Sequence, residues 1–398
     1  MRSRIRELIK LSSEISNKIP YQYISDSPTI KHYTNWAEYD KYDSLEKLLS
    51  GSTQEISSEI VSTYDVTYYV NRIFHNSDLD IMFFERNDLL NDKHAIDDRV
   101  LSLLNPYSSK IYAKHIANLS SLLYLNIHKT NRDPLKIYVG GCIENSHLAQ
   151  HITIVFSNHI PVSLVIHIEP PKNCFRSVFV EYFFEEGSEA HITVINLGDK
   201  ASYYSHNIDL ERNSRARFYT LSLGGVASRF ENRIFLRGEN ASYSSNNAVL
   251  ARRGEWIHSL EIAHLYKPST DVEIDMRGVA LEDSRNILQG YAKQYEESID
   301  SRVFVSVSGI NIGEKSLLVT TPFIEVLNGG VREASHNASQ QTLDPDQEFY
   351  LRSRGLSREE AVKIIIQSYF NDYLLKIPEK QRDYLKQILS SYYNTDLI

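Results

Sequence analysis

Two cysteines and two nearby histidines are the first residues of this sequence whose types could do chemistry. Cys142, His147 and His151 lie close together, and a His-x-x-x-His pair can share a metal ion when its segment is helical. The residues from His151 onwards read as a strand, and in an extended segment the two imidazoles start about 13 Å apart. We therefore predict structural surface histidines here and no metal site. Cys174 follows two prolines and has no set of ligands around it, while one disulfide between the two cysteines stays an open alternative.

A segment from Gly309 to Ser316 partly matches a phosphate-binding loop. Such a loop needs a glycine directly before its lysine, so that backbone amides can curl around a phosphate. Here Glu314 stands before Lys315, and its carboxylate would repel the ligand. We predict a polar turn followed by a strand, and no direct binding of a nucleotide. Gly-x-Ser-x-Gly and His-Glu-x-x-His motifs are also absent, so neither a hydrolase nor a zinc peptidase is supported, and we expect no enzymatic activity.

A third candidate, His336, lies in a polar stretch over residues 331–357. The stretch reads Val-Arg-Glu-Ala-Ser-His-Asn-Ala-Ser-Gln-Gln-Thr-Leu-Asp-Pro-Asp-Gln-Glu-Phe-Tyr-Leu-Arg-Ser-Arg-Gly-Leu-Ser. A lone histidine in such a segment is more often structural than functional. Its assignment therefore depends on the elements that hold it.

Those elements form a long series of short apolar runs that begins near residue 136. From residue 217 to residue 303 the runs start roughly every fifteen residues. Within one of them Val272, Ile274 and Met276 alternate with charged residues, as in a strand with one buried face. Between the runs up to residue 307, Asn-Gly and Asp-Gly turns, which would favour a sandwich of antiparallel hairpins, are absent. The period predicts a mainly β protein with a parallel β-helix core, in which each strand stacks on its equivalent one turn earlier.

Helical patterns flank this core on both sides. We predict a mixed α/β region over residues 1–130, a β-helix core over 131–352 and a C-terminal helical domain over 353–398. In the first region a helix-like stretch contains Leu45, Leu48 and Leu49.

The C-terminal tail has the sequence of two helices separated by Pro378. Ser357 and Glu360 have the spacing of a capping box at the start of the first helix. One apolar face of each helix is predicted from residues at helical spacing: Ala361, Ile364, Ile365 and Tyr369 in the first, and Leu385, Ile388, Leu389 and Tyr392 in the second.

The charge balance bears on the kinds of partner. The net charge of −8 gives no reason to expect binding to nucleic acid or to an anionic membrane. No apolar run is long enough to span a bilayer, and no apolar stretch follows the basic residues at the N-terminus as a signal peptide would require. We expect a cytoplasmic protein.

Several segments, in order along the chain, resemble the SufB/SufD family of iron–sulfur cluster assembly proteins. The stretch around His336 resembles the C-terminal core motif of that family, in which a histidine element precedes Phe-Tyr-Leu-x-Ser-Arg-Gly. Upstream matches are Phe184-Glu-Glu-Gly-Ser-Glu-Ala190, Leu236-Arg-Gly-Glu-Asn-Ala241, Ile262-Ala-His264, Arg277-Gly-Val279 and Asp283-Ser284 through Gly290. The resemblance runs from about residue 130 to the C-terminus.

This resemblance implies a right-handed parallel β-helix, a transient iron–sulfur cluster at a subunit interface, and pairing with a SufB-like or identical subunit through the β-helix end. His336 matches the family histidine, and its imidazole would act as a metal ligand there, with Glu333 contributing to the same interface. Thiolates are missing, because Ala334 and Glu314 stand where the family places cysteines. The chain is therefore predicted to be the SufD-like partner, with thiols supplied by the other subunit.

The resemblance also implies that the tail docks a SufC-type ABC ATPase, through a face around Arg354, Glu359, Ile365 and Tyr369. Two other readings stay open. One is a purely structural partner of SufC without a role in cluster assembly. The other is a β-helix enzyme acting on acidic polysaccharide, for which Asp271, Asp275, Asp283 and Lys293 would be the candidate residues.

Overall fold

The computed structural model describes residues 4–22, 33–42, 55–76, 79–91, 96–128, 133–157, 159 and 161–394. The predicted stretch at Leu45–Leu49 lies outside these residues. The helices are α1 (Arg4–Ile15), a 3-10 helix (Trp36–Tyr42), α2 (Ser58–Thr63), α3 (Arg86–Asn91), α4 (Lys110–Ala117), α5 (Pro345–Ser353), α6 (Arg358–Lys376) and α7 (Glu379–Asn394).

Nineteen strands are found among the described residues. They are β1 (Val66–Tyr69), β2 (Arg72–His75), β3 (Asp80–Glu85), β4 (Leu119–Ile127), β5 (Leu135–Gly140), β6 (His147–Phe156), β7 (Val162–Ile168), β8 (Phe175–Phe184), β9 (Glu189–Leu197), β10 (Ala201–Leu210), β11 (Arg215–Leu223), β12 (Ala227–Leu236), β13 (Ser242–Ala251), β14 (Trp256–Leu265), β15 (Asp271–Leu281), β16 (Arg285–Gln294), β17 (Arg302–Ile312), β18 (Leu317–Val326) and β19 (Glu333–Thr342).

The strands from β4 onwards alternate between two parallel sheets. Sheet A has the order β19-β17-β15-β13-β11-β9-β7-β5-β1-β2, and sheet B has the order β18-β16-β14-β12-β10-β8-β6-β4-β3. Among the strands of the described residues, only the β1–β2 and β3–β4 pairs are antiparallel. Consecutive coils are in register, with Asp271 opposite Arg302 and Arg302 opposite Glu333. The predicted parallel β-helix is thus confirmed, and the spacing of about fifteen residues corresponds to half a coil.

The core lies between the two sheets, where inward side chains of successive coils stack in columns. Val272, Ile274 and Met276 are fully buried there, as their alternation predicts. Glu273 and Arg277 on the other face are half-buried. Asp275 on that face is buried as well, and Val279 and Leu281 further along it pack under the C-terminal helices, so one-face burial holds only at the start of β15.

Helices cover the outer faces of the coil at different places. The N-terminal helices α1 and α4 and the 3-10 helix pack on the outer face of sheet B, against aromatic side chains such as Phe175, Phe179 and Tyr203. The C-terminal helices α6 and α7 pack on the outer face of sheet A, from β17 back to β7. The tail begins with α5 at Pro345, inside the segment that we assigned to the core. The capping box at Ser357 and Glu360 is present.

Candidate functional site

His336 lies in β19, the last strand of sheet A. It is paired with Val305 of β17, which in turn is paired with Ile274 of β15, and both of these are fully buried. His336 therefore occupies the end of a column of core residues. It is nevertheless exposed, because no described strand follows β19 and covers it.

The neighbours of His336 on the same face are small. Ala334 and Ala338 are aligned with Val303 and Val307, so two alanines flank the imidazole where larger side chains would fill a closed core. The described residues offer the His336 ring no side-chain hydrogen bond or ion pair. Both its nitrogens are thus available to a ligand or to a partner.

Glu333 is not brought together with His336. The two residues are three positions apart in one strand, so they face opposite sides of the sheet and lie about 10 Å apart along it. Glu333 is paired with Arg302, whose guanidinium binds the Asp271 carboxylate at 2.8 and 2.9 Å. Glu333 and His336 therefore cannot bind one ion from the same subunit.

The end of sheet B lies beside this site and no described strand pairs with its outer edge, although most residues of β18 are half-buried. In β18 the apolar side chains of Leu317, Phe323 and Val326 are exposed by 45%, 54% and 39%. All residues of β19 except Ser335 are exposed as well. We call this surface, formed by β18 and β19, the open end of the β-helix.

The two cysteines lie far from the open end. Cys142 follows β5 and Cys174 precedes β8, and their sulfurs are bonded to each other. In sheet A, β5 and β19 are seven strand positions apart, which corresponds to roughly 33 Å at the usual strand spacing. Neither sulfur can reach His336, in agreement with the missing thiolates noted in the sequence.

The prediction that His147 and His151 are surface histidines is wrong, although their strand is correct. Both lie in β6 and are buried, because α4 covers the outer face of sheet B at this point. The His151 ring contacts the Glu181 carboxylate at 3.0 Å, and the His147 ring lies 2.8 Å from Ser177 Oγ. Burial lowers the pKa of His147 to about 3, so the ring is neutral. Among the described residues no group of three potential ligands is placed to hold a metal.

The four predicted docking residues of the tail occupy two kinds of position. Arg354 and Glu359 are exposed, at the C-terminus of α5 and the N-terminus of α6. Ile365 and Tyr369 are half-buried and line a cavity of about 580 Å³ between α5, α6 and β17. The Tyr369 hydroxyl lies 3.0 Å from Ser308 Oγ, so this side chain also attaches α6 to the β-helix.

The buried face of α6 differs in part from the predicted one. Ala361 is buried as expected, but the helix is fixed to sheet A by Ile366, Phe370 and Tyr373, and Ile364 is 41% exposed. Two aromatic residues of α5, Phe349 and Tyr350, are exposed by 74% and 55%, and Tyr350 lines the same cavity as Ile364. The tail thus carries an uncovered apolar surface at its N-terminal end.

The candidate residues for a polysaccharide site do not converge. Asp275 in sheet A binds Lys376 of α6 at 2.9 Å, whereas Lys293 in sheet B binds Glu325 at 2.9 Å. Asp271 is held by Arg302. These three charges are therefore used in local ion pairs, and the Asp283 carboxylate accepts a hydrogen bond from the Gly254 backbone N–H at 3.0 Å.

A cluster of buried charges on β12 was missed at the sequence level. Glu231 is buried between Arg229 and Arg233, and all three face the outside of sheet B under the N-terminal helices. Burial opposes ionisation of Glu231, but the two guanidinium groups outweigh it and hold the pKa of the carboxyl well below its usual range. The alternation of Arg, Glu and Arg at every second residue was the available signal, since it places three charges on one face of a strand.

A second buried carboxylate, Glu261, lies inside the coil. It accepts a hydrogen bond from the Tyr243 hydroxyl at 2.5 Å and one from the Asn247 amide. Burial raises the pKa of Glu261 to about 7. Nothing in its sequence context distinguished it from a surface carboxylate.

Comparison with known proteins gives one family. A family model described as SUF system FeS cluster assembly, SufBD core domain, matches residues 140–369. An iron–sulfur cluster assembly SufBD family protein of Pyrococcus horikoshii is 25% identical over 291 residues, which cover 71% of this chain and 64% of that protein, slightly less than two thirds.

Two further relatives carry the names of different subunits. The iron–sulfur cluster assembly protein SufB of Bacillus subtilis is 22% identical over 347 residues, 84% of this chain and 72% of that protein. The SufD protein of Plasmodium berghei is 22% identical over 202 residues, 50% of this chain and 15% of that protein. No helix among the described residues is long and apolar enough to cross a membrane.

Proposed function

Because the chain belongs to the SufBD core family of the SUF system for iron–sulfur cluster assembly, we propose that it is a non-catalytic scaffold subunit of a cytoplasmic cluster-assembly complex. In this proposal it pairs through its open end with a SufB-like subunit or with a second copy of itself. Its C-terminal helices dock a SufC-type ABC ATPase. That ATPase binds the nucleotide, and this chain binds none directly.

The observation that carries the proposal is the open end itself. β18 and β19 are ten residues long each, and their outer edges have no partner strand among the described residues. An exposed edge of this length is a ready template for pairing with another chain. Two such ends meeting antiparallel would gain about one backbone hydrogen bond per paired residue and extend both sheets across the interface.

Pairing of the ends explains the position of His336. A core column ends on this imidazole, so it would lie inside the joined structure, facing the equivalent column of the partner. There a ring nitrogen can ligate iron of a nascent cluster, which is the cargo of the complex. When the partner is SufB-like, it supplies the thiolates, and this chain is then the SufD-like subunit of a mixed pair. Glu333 faces the outside of the same strand and contributes to pairing.

The tail supports the second half of the proposal. Tyr350 and Ile364 line one cavity and are exposed, as is Phe349 in the same helix as Tyr350. The Arg354 guanidinium lies 4.5 Å from the centre of the Tyr350 ring. Apolar anchors with a charged rim are typical of a protein–protein interface. Since α6 is fixed to β17 through Tyr369, movement of a docked ATPase would be transmitted to the open end.

The test is coexpression of the chain with a SufC-like ATPase and a SufB-like protein, followed by gel filtration, ATPase assay and cluster reconstitution. We expect a stable complex with stimulated ATPase activity. Ala338→Lys places a charge on the exposed edge and should weaken pairing at least about ten-fold without unfolding the monomer. His336→Ala should leave the complex intact and reduce cluster formation.

Ser339→Ala, an exposed change in the same strand, is the matched control for both variants. Failure to form a complex with either protein would refute the proposal. A complex in which His336→Ala gives the wild-type cluster yield would instead establish a purely structural partner of the ATPase.

A further inference from the structure

A second cavity, of about 600 Å³, lies against the outer face of sheet B. Its floor consists of two rows of outward side chains that cross neighbouring strands. One row is Glu231, Leu260, Gln289 and Thr321, and the other is Arg233, Ile262, Tyr291 and Phe323. Tyr21, Trp36, Ser108 and Ser109 of the N-terminal region form the wall. The volume is in the range of small-molecule binding sites.

One end of the cavity is cationic. Glu231 is shared by Arg229, whose Nη2 lies 3.0 Å from the carboxylate, and by Arg233. The Tyr203 hydroxyl donates to the same carboxylate at 2.7 Å. Two guanidinium groups and one carboxylate leave a net charge of +1 in a place that is largely shielded from water. An unmatched charge of this kind favours an anion as the counter-charge.

Several donors at this end have no protein acceptor. Arg233 uses Nε for Glu231, and the described residues provide no hydrogen-bond partner for its two terminal nitrogens. Ser109 Oγ and Trp36 Nε1 are buried and also lack a partner in the described part of the chain. Ser109 is the N-cap of α4, yet its side chain makes no capping hydrogen bond. The positive end of that helix therefore adds to the attraction for an anion.

The other end of the cavity is apolar and flat. The rings of Tyr291 and Phe323 are stacked at 5.3 Å between centroids, with 26° between their planes. Leu260 and Ile262 continue this surface towards the charged residues, and Phe323 remains 54% exposed. Such a surface is suited to the face of a ring.

We propose that this cavity binds a small organic anion with a flat apolar body. The anionic group pairs with Arg233 and the N-terminus of α4, and the ring lies on Tyr291 and Phe323. The cavity does not include His336, but Thr321 and Phe323 belong to β18 and therefore to the open end, so binding is tested on the chain without its proposed partners.

The test is isothermal titration calorimetry of the full chain with three probes: 1-naphthyl phosphate, 1-naphthol and inorganic phosphate. The first carries both features, and the other two carry one each. We expect 1-naphthyl phosphate to bind most tightly. Arg233→Gln should weaken it about ten- to a hundred-fold, the usual loss for one hydrogen bond to a charged group. Arg237→Gln, just beyond β12 and outside the cavity, should have no effect.

Phe323→Ala is a second variant that does not depend on the buried charges, since this side chain is half exposed. It should weaken 1-naphthyl phosphate and leave inorganic phosphate unchanged, and circular dichroism will confirm folding of both variants. The proposal is overturned if none of the probes binds, if 1-naphthol binds as tightly as its phosphate, or if folded Arg233→Gln binds like the wild type.

Discussion

Replacing the buried carboxyl of Glu261 by an amide should stabilise the protein at alkaline pH. The side chain is fully buried, and burial raises its pKa from 4.5 to about 7. The folded state therefore holds the proton more tightly than the unfolded state. The stabilisation from the protonated form is complete below pH 4.5 and is lost as the pH rises through 7. The difference between these pKa values corresponds to about 3 kcal/mol at pH 8.

Glu261→Gln removes this loss because an amide does not ionise. Tyr243 can still donate to the amide oxygen of the new glutamine. In the wild type the Asn247 side-chain oxygen has no hydrogen-bond partner among the described residues, and after rotation of that amide it can accept from the new NH₂ group. For unfolding of the 398-residue chain as one unit, the gain corresponds to a rise in Tm of about 4 °C.

The assay is thermal unfolding followed by circular dichroism, with variant and wild type compared at pH 5 and at pH 8. The difference in Tm between variant and wild type at each pH removes the contribution of all other titrating groups, because both proteins share them. Glu239→Gln, an exposed carboxyl change just after β12, is the control and should give no difference at either pH. The reasoning is refuted if Glu261→Gln has the same Tm as the wild type at pH 8, or if its advantage is equally large at pH 5.

Two further predictions concern the coil as a whole. Gly238→Ala should destabilise the fold by several kcal/mol, since the added Cβ would lie 1.9 Å from the Arg212 backbone nitrogen, whereas Gly329→Ala has nothing within 4 Å and should be nearly neutral in the same chemical denaturation assay. Acid should also lower Tm steadily between pH 6.5 and pH 4, because burial depresses the pKa of four histidines to about 3 or 4 and only the unfolded chain can protonate them there. A flat profile would contradict this assignment. The histidines are His147, His167, His206 and His264.

The β-helix was predictable because its signals are local. The alternation in β15 indicates which face of the strand points into the core, and the distance between runs gives the length of half a coil. Both inferences can be made without knowledge of any distant contact. The sequence also separates a strand that is covered over most of its length from one that is covered in part. The run Val178–Phe184 in β8 is apolar on both faces except for Glu181 and is covered by α4. In β17, Val303, Val305 and Val307 alternate with half-buried outward residues, and α6 meets this strand only from Ser308 onwards.

What the sequence could not give is the identity of the covering elements. The burial of His147 and His151 depends on α4 packing from outside, and the exposed position of Ile364 depends on which turn of α6 meets sheet A. The surroundings of the candidate site also depend on contacts between distant parts of the chain. Motif resemblance located His336, but its place at the end of a core column follows from register across three coils, which only the assembled structure shows.

The C-terminal helices constrain how the coil can change in length. α6 contacts β17 through Tyr369 and β15 through Lys376, and Gln381 at the start of α7 contacts Thr193 of β9, so the two helices together span several coils. Loss or gain of one coil would alter that span by about 4.8 Å. Three helical residues compensate, because they add about 4.5 Å and rotate the helix by nearly one turn. Relatives with a different number of coils should therefore differ in the combined length of these two helices by multiples of about three residues, a length rule that sequence comparison can check.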